Sequence, residues 1–384
     1  MRGSQWWLHR AGRRARSARV RHRRCIPLLL LLPTLLVACD DGRSGHAARA
    51  DEHATSARPA ARAPSVGLDS TLLAQAYDSA ARMPRLRSLL VARHGELVRE
   101  AYYNGADANA RTNIKSASKS ILSALVGIAI AEGHFTGLDQ PIAPLFPEYT
   151  AREADPRMAG VTVGTLLSMQ AGLEPTSFGN YGSWVSSGNW VRNALTRPFV
   201  DEPGGRMLYS TGSSHILSAA LTRATGMSTL AYARSRLFEP LGIELRGWTT
   251  DPQGVYFGGN EMRLRPRELL AFAELYRRGG THEGRQIVPA AWIRDSWTQR
   301  TTSRFNGHGY GLGWWIRERR GYDVYFAWGY GGQYAFIVPE LELTVVTTSD
   351  AVSAREGGHN RALHDLLTNV LIPAAERGAA QVSM

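Results

Sequence analysis

Residues 113–129 read NIKSASKSILSALVGIA, from Asn113 to Ala129, and the fold turns on how this stretch is placed. From Ser116 to Glu132, apolar residues fall on nearly every side (Ile121, Leu122, Leu125, Val126, Ile128, Ile130). The pattern predicts a helix buried all round and ended by Gly133. Ser116 and Lys119 stand three residues apart, a spacing that puts both on one helix face. Lys115 and Lys119 are the only lysines among 45 lysines and arginines. Arginine keeps its charge in any protein, whereas a partly buried lysine can lose its proton near neutral pH and act as a base. A lysine opening an apolar helix is costly without a task. Beside a helix N-terminus, which favours negative charge growing on a serine, that task is to take the serine proton. Ser118 and Ser120 read as helix-capping hydroxyls, and Lys115, with no serine three residues before it, as an ordinary polar residue.

Working outward, Leu72 to Met83 is predicted as a helix with Leu73, Ala76, Tyr77 and Ala80 on one face. Leu86 to Ala92 and Leu97 to Tyr103 form a hairpin around His94-Gly95-Glu96. The stretch from Val161 to about Gly247 reads as mostly helical with glycine-rich loops. Pro266 to Tyr276 is a further helix, with proline in its first turn and Leu269, Phe272, Ala273 and Tyr276 on one stripe. Four strands follow, Gly311 to Ile316, Val324 to Trp328, Tyr334 to Val338 and Leu343 to Ser349, and then a helix from about Asn360 to Leu371. Strands at both ends with helices between predict an α+β fold. Its antiparallel sheet is joined by the two ends of the domain, flanked by terminal helices, and carries a mostly helical lobe.

Residues 1–38 hold nine arginines, no acid, and then the apolar run Ile26 to Val37. This is the layout of an export signal, with an apolar run too short to span a membrane. Leu36-Val37-Ala38-Cys39 resembles a bacterial lipobox, in which Cys39 is lipidated and begins the mature chain. That resemblance implies retention at the periplasmic face of the inner membrane. The formal charge of +12 falls to +3 without the signal, so no nucleic-acid partner is inferred from it. Cys25 leaves with the signal, and Cys39 is the only other cysteine, so no thiol remains for a disulfide or a metal. Residues 39–68, rich in Ala, Arg, Ser, Gly and Pro, read as a flexible tether, and residues 69–384 as one domain. None of the 11 histidines has metal-binding spacing, and no G-x-S-x-G elbow or P-loop occurs. No cofactor is expected.

The stretch from Asn113 to Ala129 resembles the nucleophile helix of the serine β-lactamase and penicillin-binding-protein-like hydrolases. The nearest likeness is to their class C branch, with its esterases and 6-aminohexanoate-dimer hydrolases. Further blocks follow in the family's order: Val161 to Leu173, Pro203 to Gly226, Glu239 to Gly242, Met262 to Gly280, and Trp328 to Val338 (WGYGGQYAFIV). The resemblance covers roughly residues 70–375. It implies that Ser116 attacks the carbonyl, Lys119 activates it, and Tyr209 completes the proton relay. It places Tyr330-Gly331-Gly332 at the family's third motif, counts these three and Thr211 among the substrate-binding residues, and puts the backbone N–H groups of Ser116 and Gln333 in an oxyanion hole. Trp328, Tyr330 and Trp184 are candidate pocket walls, although aromatics in such a domain are as readily core. Tyr181 falls near a substrate-contacting tyrosine of the aminohexanoate hydrolases. Two departures stand out. Thr211 replaces an asparagine that contacts the drug amide in β-lactamases of this branch, and Tyr330 replaces a lysine that steers the substrate carboxylate. Both weaken any hold on an anionic penicillin. The expected substrate is therefore an ester or a small linear amide. The alternatives are a β-lactamase or D-alanyl-D-alanine peptidase, and a lipid-anchored binding or sensor protein of this fold without turnover.

Overall fold

The structure is a computed structural model that describes residues 67–150, 155–352 and 357–382. The expected export signal, Cys39 and all but the last two residues of the expected tether lie outside these. Leu68, placed in the tether by composition, is 1 % exposed and packs in the core, so the folded part already includes it. Asp69 then caps helix α1 (Ser70–Ala81), accepting from the N–H groups of Thr71 and Leu72. Leu73, Ala76, Tyr77 and Ala80 are its buried face, as their spacing predicts.

An eight-stranded antiparallel sheet forms the centre. Its strands are β1 (Leu86–Arg93), β2 (Glu96–Tyr102), β3 (Thr301–Thr302), β4 (Gly309–Tyr310), β5 (Trp315–Arg319), β6 (Tyr322–Gly329), β7 (Gln333–Val338) and β8 (Leu343–Ser349). The order is β2-β1-β8-β7-β6-β5-β4-β3, so the first strand lies beside the last and the two ends of the domain do join one sheet. The central strands are buried on both faces because alternate side chains feed two cores. In β7, Tyr334, Phe336 and Val338 face the core made with α1 and the C-terminal helices, while Ala335 and Ile337 face the other. The first of those helices, His359–Leu366, runs through a π turn at Leu367–Leu371 into Ile372–Val382. The helical run therefore continues 11 residues past its expected end at Leu371.

On the opposite face lie α2 (Ser118–Ala131), α3 (Thr211–Thr225), which belongs to the helical lobe, and α4 (Pro266–Arg277). Helix α2 is buried from Ser118 through Ala129 on every side, as its composition requires. Its serines are satisfied within the core: Ser120 and Ser123 donate to the carbonyls of Gly313 (2.7 Å) and Leu312 (2.6 Å). Gly127 leaves room for the Trp292 ring, which a Cβ there would meet at 2.3 Å. Those two accepting carbonyls also explain a difference from expectation. Residues 311–314 turn across α2, with Gly313 at φ +80°, and pairing resumes as a strand only at Trp315. Among the described residues, no helix is long and apolar enough to cross a membrane.

Candidate active site

Ser116 sits in a 3-10 turn, Lys115–Ala117, that leads into α2. The turn is entered through a left-handed residue, Lys115 at φ +51°, an uncommon conformation for a side chain of that size. Local bonds hold it there. The Lys115 N–H donates to Asn113 Oδ1 (3.0 Å), its ammonium pairs with Glu261 (3.0 Å), and Ser118 Oγ donates back to the Lys115 carbonyl (2.8 Å). Lys115, expected as an ordinary polar residue, thus anchors the turn through Glu261.

Lys119 is 3 % exposed, and its Nζ lies 3.2 Å from Ser116 Oγ, 3.3 Å from Thr211 Oγ1 and 2.8 Å from the Gly259 carbonyl oxygen. No carboxylate pairs with it among the described residues. Burial alone pushes its ammonium down to about 7, against an ordinary value of 10.5. A neutral amine has two N–H groups and one lone pair. The Gly259 carbonyl and Thr211 take the two N–H groups, which leaves the lone pair toward Ser116 Oγ. Thr211 can accept in this way because its own O–H has an acceptor in Ser177 Oγ at 3.0 Å. Thr211 therefore lines the site with its hydroxyl committed to Lys119 and Ser177, not free for substrate as expected.

The Gly259 carbonyl is itself held by a buried pair that sequence reading missed. His215 and Asp251, both with side chains fully buried, meet at 3.0 Å, and the Gly258 N–H donates to His215 Nδ1 (3.3 Å). Asp251 also accepts the N–H groups of Gln253 (2.8 Å) and Val255 (2.9 Å). Burial opposes the charge on Asp251, but these hydrogen bonds outweigh it and hold the carboxyl below its ordinary value. No spacing in the sequence links position 215 to 251, so only the fold reveals the pair.

Tyr209 lies two residues before α3, and the N-terminus of that helix is locked by the neighbouring loop. Ser177 Oγ accepts from the Thr211 N–H (2.9 Å) and Thr176 Oγ1 from the Gly212 N–H (2.7 Å). The Tyr209 ring stacks on Trp315 with centroids 5.8 Å apart, and Lys119 Nζ lies 5.2 Å from its centroid. Burial pushes the phenol up to about 12, and a hydrogen bond with Ser116 draws it back only slightly. The phenol is thus protonated at neutral pH and placed to give a proton.

The sheet supplies the remaining wall. Strand β6 ends at Gly329 and β7 begins at Gln333, with Gly331 and Gly332 between them at φ +90° and +106°. Trp328 and Tyr330 line the cavity, but Gly331 and Gly332 do not. A Cβ on Gly331 would meet Ala351 at 2.7 Å, and one on Gly332 would meet His359 and Ser349 at 2.8 Å. These glycines serve the turn and its packing against the chain behind it, away from the cavity. Gln333 is fully buried, with its side chain tied to both backbone groups of Ser349 (2.8 and 3.0 Å). Trp184, a candidate wall, lies instead in the lobe core, fully buried against Trp190, His215 and Phe257.

These elements enclose a cavity of about 840 Å³, in which the structure brings together Ser116, Tyr209, Thr211, Tyr181 and Tyr330, with Lys119 just beneath. Tyr181 accepts a hydrogen bond from Asn260 Nδ2 (2.8 Å). Among the described residues, no group of three or more His, Cys, Asp or Glu is placed to hold a metal. A family model described as Beta-lactamase matches residues 87–368.

The chain belongs to the β-lactamase family.

This family of serine hydrolases has the fold that the sequence resembles. The chain is 24 % identical over 287 residues to a 6-aminohexanoate-dimer hydrolase of Paenarthrobacter ureafaciens, a match covering 68 % of this chain and 72 % of that protein. Two solved structures share the fold. A protein of Bacillus anthracis assigned to the 6-aminohexanoate-dimer hydrolases has a TM-score of 0.65 and 20 % identity, covering 77 % of this chain and 80 % of that one. An octameric penicillin-binding protein homologue from Pyrococcus abyssi has a TM-score of 0.60 and 18 % identity, covering 80 % and 78 %. Within this β-lactamase-family site, sequence reading missed Asn260, Glu261, Arg304 and the rings of Phe178 and Phe305. Four stand on loops and Phe178 opens a short 3-10 turn, where no periodicity marks an inward-facing side chain.

Proposed function

We propose that this chain is an exported serine hydrolase that cleaves an ester or a small linear amide through an acyl-enzyme on Ser116. The observation that carries this is a buried amine with no carboxylate partner, 3.2 Å from a hydroxyl at the floor of an open cavity. Neutral Lys119 takes the Ser116 proton as Oγ attacks the carbonyl. The backbone N–H groups of Ser116 and Gln333 receive the developing oxyanion. Tyr209, protonated at neutral pH, gives its proton to the leaving group and recovers one from the Lys119 ammonium. Water then attacks the acyl-enzyme by the same route in reverse. Tyr181 and Tyr330 shape the substrate side. The arginine-rich signal of residues 1–38 and Cys39 support export and a lipid anchor at the periplasmic face of the membrane.

A fluorophosphonate probe is expected to label the purified domain, and Ser116→Ala to abolish labelling. Unchanged labelling of the alanine variant would refute the reading and leave a tethered binding protein of this fold. The mass of the mature N-terminus tests the anchor, since a lipidated Cys39 adds its acyl chains.

One observation favours a second reading, turnover of β-lactams. Tyr330 stands where the family's steering lysine is missing, but Arg304 lines the same cavity, exposed and without an ion-pair partner among the described residues, and offers a place for a carboxylate. Hydrolysis of nitrocefin at rates near those for p-nitrophenyl esters would favour it.

A further inference from the structure

Six large apolar side chains are exposed among the described residues, and three of them, Phe178, Phe305 and Tyr330, rim this one cavity. Such clustering at the mouth of a site marks a surface meant to be covered. Phe178 is 66 % exposed and Phe305 75 % exposed, yet their rings lie 5.9 Å apart, although they stand on separate segments more than a hundred residues apart in sequence. Phe178 also lies 6.2 Å from the Tyr209 ring, which stacks on Trp315. The result is an unbroken aromatic wall from the open mouth down to the phenol beside Ser116.

Neither ring is displayed by default. Phe178 holds φ +56°, a left-handed conformation that asparagine or glycine adopts at far lower cost. The residues around it fix that conformation. Ser177 is bonded to Thr211 at the start of α3, and Asn180 Nδ2 donates to the Pro175 carbonyl (2.9 Å). Phe305 is lifted by a tight loop in which its N–H donates to Ser303 Oγ (3.2 Å) and the Gly307 N–H to the Ser303 carbonyl (2.9 Å). Two rings held by their backbones and left wet gain free energy only when something apolar covers them.

We propose that Phe178 and Phe305 are the specificity-determining pair of this site. They receive a bulky apolar group, aryl or long alkyl, carried on one side of the scissile bond of an ester or amide. The inference rests on the acyl-transfer reaction assigned to Ser116 and goes beyond it by naming the substrate class. Small esters are acylated too, but without the contribution of the two rings.

The test uses two ester series with the purified domain, one varying the acyl group from acetyl to phenylacetyl and octanoyl on p-nitrophenol, the other varying the alcohol from ethyl to benzyl on acetate. In at least one series, kcat/KM is expected to rise about tenfold or more with the apolar group. Phe178→Asn, which suits the left-handed backbone, combined with Phe305→Ser is expected to flatten that series to within about threefold. Both rings are solvent-exposed, so folding is expected to be kept. Should the double variant not fold, each single variant is expected to lose part of the preference. A wild-type protein with flat profiles in both series, or a preference that survives the substitutions, would overturn the inference. Fluorophosphonate labelling of Ser116 separates the two failures: labelled protein with flat profiles removes the aromatic pair alone, and unlabelled protein removes the reaction and the pair together.

Discussion

Gly329 and Ile114 meet backbone to backbone: a Cβ on Gly329 would stand 2.0 Å from the Ile114 carbonyl oxygen. The turn carrying Ser116 begins at the next residue, so this contact sets how closely that turn docks against the end of β6. Gly329→Ala must therefore push the turn away. We expect a loss of about 1–3 kcal/mol in stability and a fall of about 10²-fold or more in Ser116 acylation. Thermal unfolding and probe-labelling rates measure both. Gly182→Ala, where nothing lies within 4 Å of the new Cβ, is the neutral control. Labelling of Gly329→Ala at the wild-type rate would show that the contact does not position the nucleophile.

Lys119 makes both activity and stability depend on pH, in windows that meet near pH 7. Its amine is a base only when neutral, so the acylation rate should climb with pH and level off above about 7. The folded value lies below the unfolded 10.5, so the unfolded chain binds the extra proton between the two. Stability should rise with pH from about 7 toward 10.5, as the cost of stripping the proton from an amine that stays charged in the unfolded chain falls away. Lys119→Met should remove that slope, measured by denaturant unfolding at several pH values. Lys119→Arg keeps the charge and cannot lose it, and is expected to be inactive. Turnover in that variant would exclude a base at this position.

Tyr209→Phe separates the two proton transfers. With p-nitrophenolate, which leaves without a proton, acylation should fall by roughly tenfold or less. With an alkyl amide the leaving nitrogen needs a proton, and the loss should reach about 10²–10⁴-fold. Equal losses on both substrates would mean the phenol is no acid.

Asp251→Ala tests the buried pair that holds the Gly259 carbonyl. Removing the partner leaves the His215 ring nitrogen unsatisfied, which should cost about 1–3 kcal/mol. It should also loosen the acceptor beneath Lys119. That carbonyl favours the ammonium form, so its withdrawal should move the rising limb of the pH profile to lower pH, a change that a merely structural role would not produce. An unmoved limb with a reduced rate would reassign the pair to folding alone.

The sheet, its helical flanks and the nucleophile helix were legible because periodicity reports burial directly. Leu73, Ala76, Tyr77 and Ala80 mark the inner face of α1, and the unbroken apolar run after Lys119 marks a helix with no outer face. Where a segment answers to distant atoms, local pattern misleads. Residues 311–314 look like a strand, yet their carbonyls turn to accept hydroxyls from α2. Thr211 looked free for substrate because the sequence does not show that Ser177 and Lys119 converge on it. The Gly259 acceptor is a backbone oxygen, which no residue type announces.

The neighbouring positions of β1 and β8 set when this protein can first act. Strand β8 is the partner that ties the N-terminal hairpin to the rest of the sheet, and it is completed only at Ser349. The wall formed by β6 and β7 likewise arises more than two hundred residues after Ser116. A chain still emerging from the ribosome thus carries its nucleophile turn long before anything exists for it to dock against, and long-range pairing of this kind forms late. The walls around Ser116 can therefore close only when synthesis is nearly finished.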